Sequence, residues 1–161
     1  MAVGDTLLVF DPLSNCPPTS AYATLDVRGE FVVLDFDAAA NERAQFHANL
    51  PTHYRGGDLT VFVTWTSTTA TSGDVKLRVE LTRIVSGDNL DALPSPQATA
   101  DVTANCPASS GDLAVVEVGP LVISGLAAGE TLCVHITRLA TDGADTMSGD
   151  FELVAVEVRE A

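Results

Sequence analysis

Clusters of acidic side chains are the residues of this sequence whose types and spacing come nearest to a chemical site. The clusters are Asp35 with Asp37, Asp88 with Asn89 and Asp91, and Asp142 with Asp145 and Asp150. Oxygen-rich loops of this kind can supply the roughly six to eight ligands that Ca²⁺ takes. None of them follows the spacing of an EF-hand, and such Asp residues also cap turns on a solvated rim. We therefore predict no metal site and no cofactor, and calcium binding stays an open alternative.

Three histidines, His47, His53 and His135, are the candidates for acid–base catalysis or for binding a transition metal. They are far apart in the sequence, whereas histidine ligands of zinc usually show close local spacing. The sequence also lacks a Gly-x-Ser-x-Gly nucleophile motif, a phosphate loop and a dinucleotide fingerprint. Because no catalytic pair of acids and no histidine cluster is evident, we predict that the chain is not an enzyme.

Aromatic side chains are the usual platforms for sugars, and the sequence has one tryptophan and two tyrosines. Trp65 alternates with Val61 and Val63, so we expect its indole ring in the core. Tyr54 is followed by two glycines and is the better candidate for a contact with a ligand. One tyrosine is a weak signal for a sugar-binding site.

The three cysteines, Cys16, Cys106 and Cys133, are an odd number, which argues against a disulfide framework. Cys133 lies inside a predicted strand and is expected to behave as a small buried hydrophobic residue. Cys16 and Cys106 each precede a proline in predicted loops. A bond between these two stays open, although three free thiols are favoured.

Eight short segments with the composition of β-strands position these residues, and turn signals separate nearly all of them. No convincing helix lies between the segments, so the sequence predicts an all-β, eight-stranded antiparallel jelly roll or β-sandwich over residues 31–161. The segments are Phe31–Asp37, Arg43–Pro51, Leu59–Ser67, Asp74–Ile84, Gln97–Thr103, Leu113–Ile123, Thr131–Leu139 and Phe151–Glu160.

Residues 1–30 differ from the rest, because an apolar run is followed by a segment rich in turn residues and prolines. Prolines remove backbone donors and favour extended backbone, which predicts an N-terminal extended arm. A short added strand over residues 22–27 is an alternative for its end. We predict that the apolar anchors of the arm lie at an interface, and packing on the chain's own sheet is equally open. The anchors are Leu7, Leu8, Val9, Phe10 and Leu13.

The formal net charge of −14, from 22 acidic and 8 basic residues, limits the partners of the chain. Nucleic acids and anionic membranes should repel it, so we expect neither as a partner. Proteins, sugars and cations remain as possible partners. The negative charge also has a simpler role, since it favours solubility. The first residues lack the basic region of a secretory signal, and no apolar run approaches the roughly 20 residues of a membrane span. We therefore expect a protein made soluble in a cytoplasm.

Several segments are distinctive enough to suggest a lineage. They are residues 46–61, residues 65–75, and the later pieces at 126–130, 136–138 and 145–150. Together they resemble a family of small virion β-sandwich proteins of tailed bacteriophages and environmental viruses, of the kind that decorate or cement capsids. The resemblance covers most of residues 31–160, and the residues that carry it are turns and core positions.

The resemblance implies a structural protein of the bacteriophage virion. Such a capsid decoration or cement protein, made in the host cytoplasm, would sit on the capsid surface and bridge capsid subunits without covalent bonds. Its partners would be the major capsid protein and copies of itself, with a homotrimer suiting the local threefold positions of a shell. The alternative is a tail-fibre, spike or adhesin domain that binds glycan on the host surface. An enzyme, such as a jelly-roll glycan hydrolase, is the weakest interpretation.

Overall fold

The computed structural model describes residues 4–161, which form two antiparallel β-sheets and almost no helix. One 3₁₀ turn covers Pro12–Ser14. Within the described residues, no helix has the length and hydrophobicity to cross a membrane. The strands are β1 (Thr6–Phe10), β2 (Thr24–Arg28), β3 (Phe31–Phe36), β4 (Glu42–Asn49), β5 (Leu59–Ser67), β6 (Asp74–Ile84), β7 (Ala98–Asn105), β8 (Ala114–Leu121), β9 (Thr131–Arg138) and β10 (Phe151–Glu160).

The larger sheet has the strand order β2-β3-β10-β5-β8, and β1 also pairs with β10. The smaller sheet has the order β4-β9-β6-β7. Along β5, Val61, Val63 and Trp65 are fully buried, because every second residue of a strand points to the same face. The predicted all-β antiparallel sandwich is confirmed.

All eight predicted strands are present, and β5, β6 and β10 begin and end at the predicted residues. Two further strands, β1 and β2, come from residues 1–30. The core lies between the sheets, where the Phe151 ring stacks on Trp65 with centroids 4.8 Å apart and meets Phe36 edge-on at 5.4 Å. Trp65 is therefore a core residue, as its alternation predicted.

The segment predicted as an arm contributes its apolar residues in two ways. Strand β1 pairs with the last strand, so that Phe10 lies opposite Val156. Leu7 and Phe10 are buried in the core, and Leu8 packs against it. Val9 and Leu13 are about two-thirds exposed, at 66% and 68%. Residues 1–3 of the predicted arm lie outside the described residues, and an interface formed by Val9 and Leu13 stays a prediction.

Strand β1 and the β2–β3 hairpin share one edge of β10. Strand β3 pairs only through Leu34–Phe36, opposite Leu153 to Phe151 of β10. Strand β1 occupies the rest of that edge, from Val156 to Arg159. Because β1 occupies the rest of this edge of β10, the tip of the β2–β3 hairpin extends past the residues that pair with β10. This arrangement creates the site described below.

Candidate functional site

Tyr54, the predicted ligand contact, is used within the fold. Its side chain is buried, and its hydroxyl donates a hydrogen bond of 2.8 Å to the carbonyl of Gly57. Burial, followed by the nearby carboxylate of Glu160, raises the pKa of the Tyr54 hydroxyl. The tyrosine therefore closes the turn before β5, and a ligand contact through it stays a prediction.

The acidic loops that suggested calcium are satisfied by other groups. Asp142 accepts a hydrogen bond of 2.8 Å from the Lys76 ammonium, and Asp145 pairs with Arg138 at 2.9 Å. Asp88 caps a turn by accepting from the N–H of Val85. In residues 4–161, no group of three His, Cys, Asp or Glu side chains is arranged to hold a metal ion.

The histidines lie at two separate places. His47 and His135 are on neighbouring strands of the smaller sheet, whereas His53 precedes β5 and its ring nitrogen lies 3.2 Å from the Thr6 carbonyl oxygen. Burial, then the charge of Arg43, lowers the pKa of His135. The structure thus keeps one of the three histidines away from the other two.

The cysteines are free thiols at different depths. Cys16 is exposed, Cys106 is buried and Cys133 is half-buried. The Cys106 thiol donates to the carbonyl of Ala70 at 3.4 Å, and burial raises the pKa of the Cys133 thiol. The sandwich is therefore held together without a disulfide among these residues.

A cleft of about 400 Å³ lies between the tip of the β2–β3 hairpin and strands β5 and β10, and we call it the hairpin cleft. Phe31 and Leu113 stand at its rim and are 60% and 61% exposed. Its side-chain lining comprises Arg28, Phe31, Val33, Thr66, Leu113 and Val154. The cleft therefore combines apolar walls with very few polar groups, which is the usual character of a ligand site.

The local sequence explains why the hairpin tip stands there. Arg28 pairs with Phe31, so Gly29 and Glu30 form a two-residue turn. Gly29 has a φ of +60°, a conformation that favours glycine and suits such tight turns. On β10, a bulge between Leu153 and Ala155 shifts the register with β5 at Val154. Bulges re-aim side chains, and Val154 lines the cleft.

Arg28 ties the hairpin tip to the sheet with a single nitrogen. Its Nη1 donates to the carbonyl of Ser67 at 2.6 Å, to the carbonyl of Thr68 at 3.3 Å and to the carboxylate of Glu152. Nη2 faces Gly111, where an added Cβ would lie 3.1 Å from it. Since all side-chain hydrogen bonds of Arg28 within the described residues come from Nη1, its Nε and Nη2 remain available as donors.

A row of oxygen-bearing side chains crosses three strands beside Arg28. Asp35 of β3 lies opposite Glu152 of β10, which lies opposite Thr66 of β5. Oδ1 of Asp35 and Oγ1 of Thr66 are buried and have no hydrogen-bond partner in residues 4–161. Unsatisfied buried polar atoms are rare in folded proteins, and this row holds two of the four in the described residues, the others being Nε1 of Trp65 and Nδ1 of His135.

The same row contains the most perturbed acid. The pKa of Asp35 is raised from 3.8 to about 7, first by burial, then by a hydrogen bond with Asp26 and by the negative charges of Glu152, Asp26 and Asp150. A carboxyl group with a perturbed pKa in a cleft marks a candidate functional site. Asp35 does not itself line the hairpin cleft, but the row links it through Glu152 to Thr66, which does.

Sequence reasoning missed the residues of this cleft. Arg28 fell in the predicted arm, and Phe31 was taken only as the start of a strand. The glycine between two strand-like segments is a hairpin signal that would have placed Arg28 and Phe31 on one face. No local signal connects Arg28 with Glu152, because the two are 124 residues apart in the chain.

No protein-family model and no curated protein matches the sequence. Solved structures match it in fold. A family 35 carbohydrate-binding module from Clostridium thermocellum has a TM-score of 0.58 at 9% identity, covering 98% of this chain and 100% of the module. The CBM36-1 domain of a xylanase from the hindgut metagenome of Trinervitermes trinervoides has 0.57 at 8% identity, covering 96% and 98%. The fold is that of carbohydrate-binding modules.

The same fold also occurs inside larger enzymes. An arabinose-bound α-L-arabinofuranosidase, MgGH51, has a TM-score of 0.55 at 12% identity, and the match covers 98% of this chain and 26% of the enzyme. The neighbours that match over their whole length are named as binding modules. The match therefore covers these two modules almost completely and about a quarter of the enzyme.

These findings correct the predicted lineage. The resemblance to bacteriophage virion proteins is wrong, because the structural neighbours are carbohydrate-binding modules. The prediction of a capsid decoration or cement protein is wrong for the same reason, and with it the predicted partners, a major capsid protein and a homotrimer. The segments behind the resemblance were turns and core positions, which β-sandwiches of unrelated function share.

Proposed function

We propose that this chain is a carbohydrate-binding module without catalytic activity and that the hairpin cleft is its ligand site. The fold likeness to carbohydrate-binding modules supports the class of protein. The observation that carries the choice of site is the combination of an exposed phenylalanine ring with free hydrogen-bond donors in one cleft. Among the alternatives drawn from the sequence, glycan recognition is the one that this arrangement favours.

The size and lining of the hairpin cleft suit part of a glycan chain. Ligand sites usually have volumes of about 300–1,000 Å³, and this cleft lies toward the lower end of that range. The ring of Phe31 offers an apolar surface to the C–H face of a sugar, and Leu113 extends that surface. Arg28 then supplies N–H donors for the oxygen atoms at the edge of the sugar.

Binding without catalysis is the second part of the proposal. Asp35 carries the raised pKa, but its neighbour Asp26 is close enough to share a hydrogen bond with it. Glycosidases keep their two carboxyl groups about 5 Å or more apart, so that the sugar fits between them. A hydrogen-bonded pair leaves no room for the scissile bond.

Affinity electrophoresis through gels containing soluble plant and microbial polysaccharides tests the proposal. We expect at least one polysaccharide to retard the wild-type chain. Phe31→Ala should weaken that retention at least tenfold, whereas Leu90→Ala should not change it. Leu90 is a matched control, because it is 77% exposed and lies in the loop between β6 and β7, away from the cleft.

Two outcomes would count against the proposal. Retention of Phe31→Ala equal to that of the wild type would show that the ligand binds elsewhere, and migration unchanged in every gel would exclude glycan binding in this panel. Release of reducing sugar from a retained polysaccharide would disprove the non-catalytic part alone.

A further inference from the structure

We infer that the hairpin cleft recognises an acetylated sugar, with the acetyl methyl group against the apolar wall and the acetyl carbonyl oxygen accepting from Arg28. This inference rests on the proposed function and specifies the ligand class of the same site. It follows from which polar groups the cleft offers, which it lacks and what charge surrounds it.

The walls of the cleft select for an apolar substituent. Val33, Leu113 and Val154 present only hydrocarbon to the space beside Phe31. A sugar hydroxyl placed against these side chains would lose its water and find no partner, which disfavours an unsubstituted sugar at that position. A methyl group placed there would instead gain contact and leave water.

Arg28 offers a fixed donor for one carbonyl oxygen. Its Nη1 is anchored to Ser67, Thr68 and Glu152, so the plane of the guanidinium group is set before a ligand arrives. Nη2 and Nε donate no side-chain hydrogen bond in the described residues, and because residue 111 is a glycine, no Cβ occupies the position 3.1 Å from Nη2. An acetyl group carries an acceptor oxygen and a methyl group on the same carbon atom, which matches a donor beside an apolar wall.

The charge around the cleft argues against an acidic sugar. Glu152 already neutralises the guanidinium of Arg28, and the negative charges of Asp26 and Asp150 act with that of Glu152 on the neighbouring Asp35. A uronate would therefore meet net negative charge, whereas an acetylated sugar carries no charge that could be repelled. A sugar with a free amine would be attracted, so the amine is the competing ligand chemistry that the test has to separate.

Titration calorimetry with matched pairs of ligands tests the inference and separates the two sources of an acetyl group. The N-acetyl pair is an N-acetylglucosamine oligosaccharide against its deacetylated glucosamine counterpart, with a cello-oligosaccharide as the unsubstituted reference. The O-acetyl pair is an acetylated xylan against the same xylan after alkaline deacetylation. We expect the wild-type chain to bind the acetylated member of one pair at least tenfold more tightly than its counterpart.

A substitution at the cleft rim tests whether the side chain of Leu113 contacts the acetyl methyl group. Leu113→Asn should reduce the preference for the acetylated ligand to less than threefold, whereas Leu90→Asn should keep it. Leu113 is 61% exposed, so the variant is expected to fold.

Failure of the inference can be told apart from failure of the proposed function. Equal or tighter binding of a deacetylated member, or binding to unacetylated polysaccharides alone, would overturn the inference and leave a carbohydrate-binding module. Absence of binding to both pairs and to the polysaccharide panel would overturn the proposed function and the inference together.

Discussion

Two arginines, Arg28 at the end of β2 in the larger sheet and Arg138 at the end of β9 in the smaller sheet, show opposite degrees of hydrogen-bond satisfaction. Arg138 is fully buried and uses all three of its side-chain nitrogens. Nε and Nη2 bind both oxygens of Asp145 at 3.0 and 2.9 Å. Its other contacts are the carbonyls of Met147 at 2.7 Å, Gly149 at 2.8 Å and Phe36 at 3.3 Å.

Arg28 is also held by carbonyls and a carboxylate, but the group around it is incomplete. Its side chain is 32% exposed and donates through one nitrogen, while the neighbouring Asp35 and Thr66 each keep a buried atom without a partner in the described chain. A fully connected polar network fixes a core, and a partly connected one costs stability unless something else completes it. The complete network around Arg138 therefore indicates a structural role, and the incomplete network around Arg28 indicates a binding site.

The largest expected effect is at Arg138. Arg138→Met leaves the Asp145 carboxylate, which is 1% exposed, without its cation, and we expect a loss of about 3–5 kcal/mol in the free energy of unfolding. Urea denaturation measures this loss. Arg159→Met is the control, because the Arg159–Glu157 pair is more exposed, and its midpoint should stay close to that of the wild type. Equal losses in both variants would contradict the comparison.

Arg28→Met should lower stability by an intermediate amount and should abolish ligand binding. Glu152, 3% exposed, loses its cation, and the hairpin tip loses its anchor, so we expect a loss of about 1–3 kcal/mol. The loss is smaller than at Arg138 because water reaches the guanidinium of Arg28. Denaturation and calorimetry on the same sample check both parts. Wild-type affinity in this variant would show that Arg28 does not contact the ligand.

Asp35→Asn should change the pH dependence of stability. Because the folded-state pKa of Asp35 is raised to about 7 from 3.8, its favourable protonated state is fully present below pH 3.8 and is lost as the pH rises through 7. The asparagine does not titrate, so the variant should exceed the wild type at pH 8 by about 1–2 kcal/mol, a value reduced for solvent screening.

Denaturation of wild type and Asp35→Asn at pH 4.5, 6 and 8 measures this difference. Glu30→Gln removes an exposed negative charge from the same hairpin and controls for the change in net charge. A constant difference between Asp35→Asn and wild type across the three pH values would show that Asp35 does not titrate in that range.

The smallest expected effect is at Thr66. Thr66→Val removes a buried hydroxyl whose oxygen has no partner in the described residues, so we expect the free energy of unfolding to rise by about 1 kcal/mol. Thr137→Val is the matched control, because that hydroxyl accepts from Arg43 at 3.2 Å and its loss should be destabilising. Thermal unfolding of both variants shows whether the two substitutions change stability in opposite directions.

The sequence predicted those features of the structure that depend on residues close together in the chain. Alternation of apolar residues predicted the limits of Asp74–Ile84 and Phe151–Glu160 and the burial of Trp65, because a strand repeats every two residues. Those patterns decide which face of a strand is inside. They do not decide which strands become neighbours.

The site depends on pairings that no local pattern contains. Thr6–Phe10 pairs with a strand about 150 residues later, and Asp35 meets Glu152 and Thr66 only through the strand order. The burial of Tyr54 was not evident from its neighbouring glycines, because it depends on a hydrogen bond from its hydroxyl to a carbonyl three residues on. The cleft could be recognised only after the topology was known.

The pairing of the first strand with the last has a mechanical consequence. Thr6 lies opposite Arg159, and the N–H of Glu160 donates to the carbonyl of Asp5 at 3.0 Å, so the two ends of the sandwich enter the sheet side by side. A pulling force applied between them would load the β1–β10 hydrogen bonds one at a time, starting from the outermost. Under tension, this sandwich would unzip from its β1 edge before the sheet on which the hairpin cleft lies was sheared.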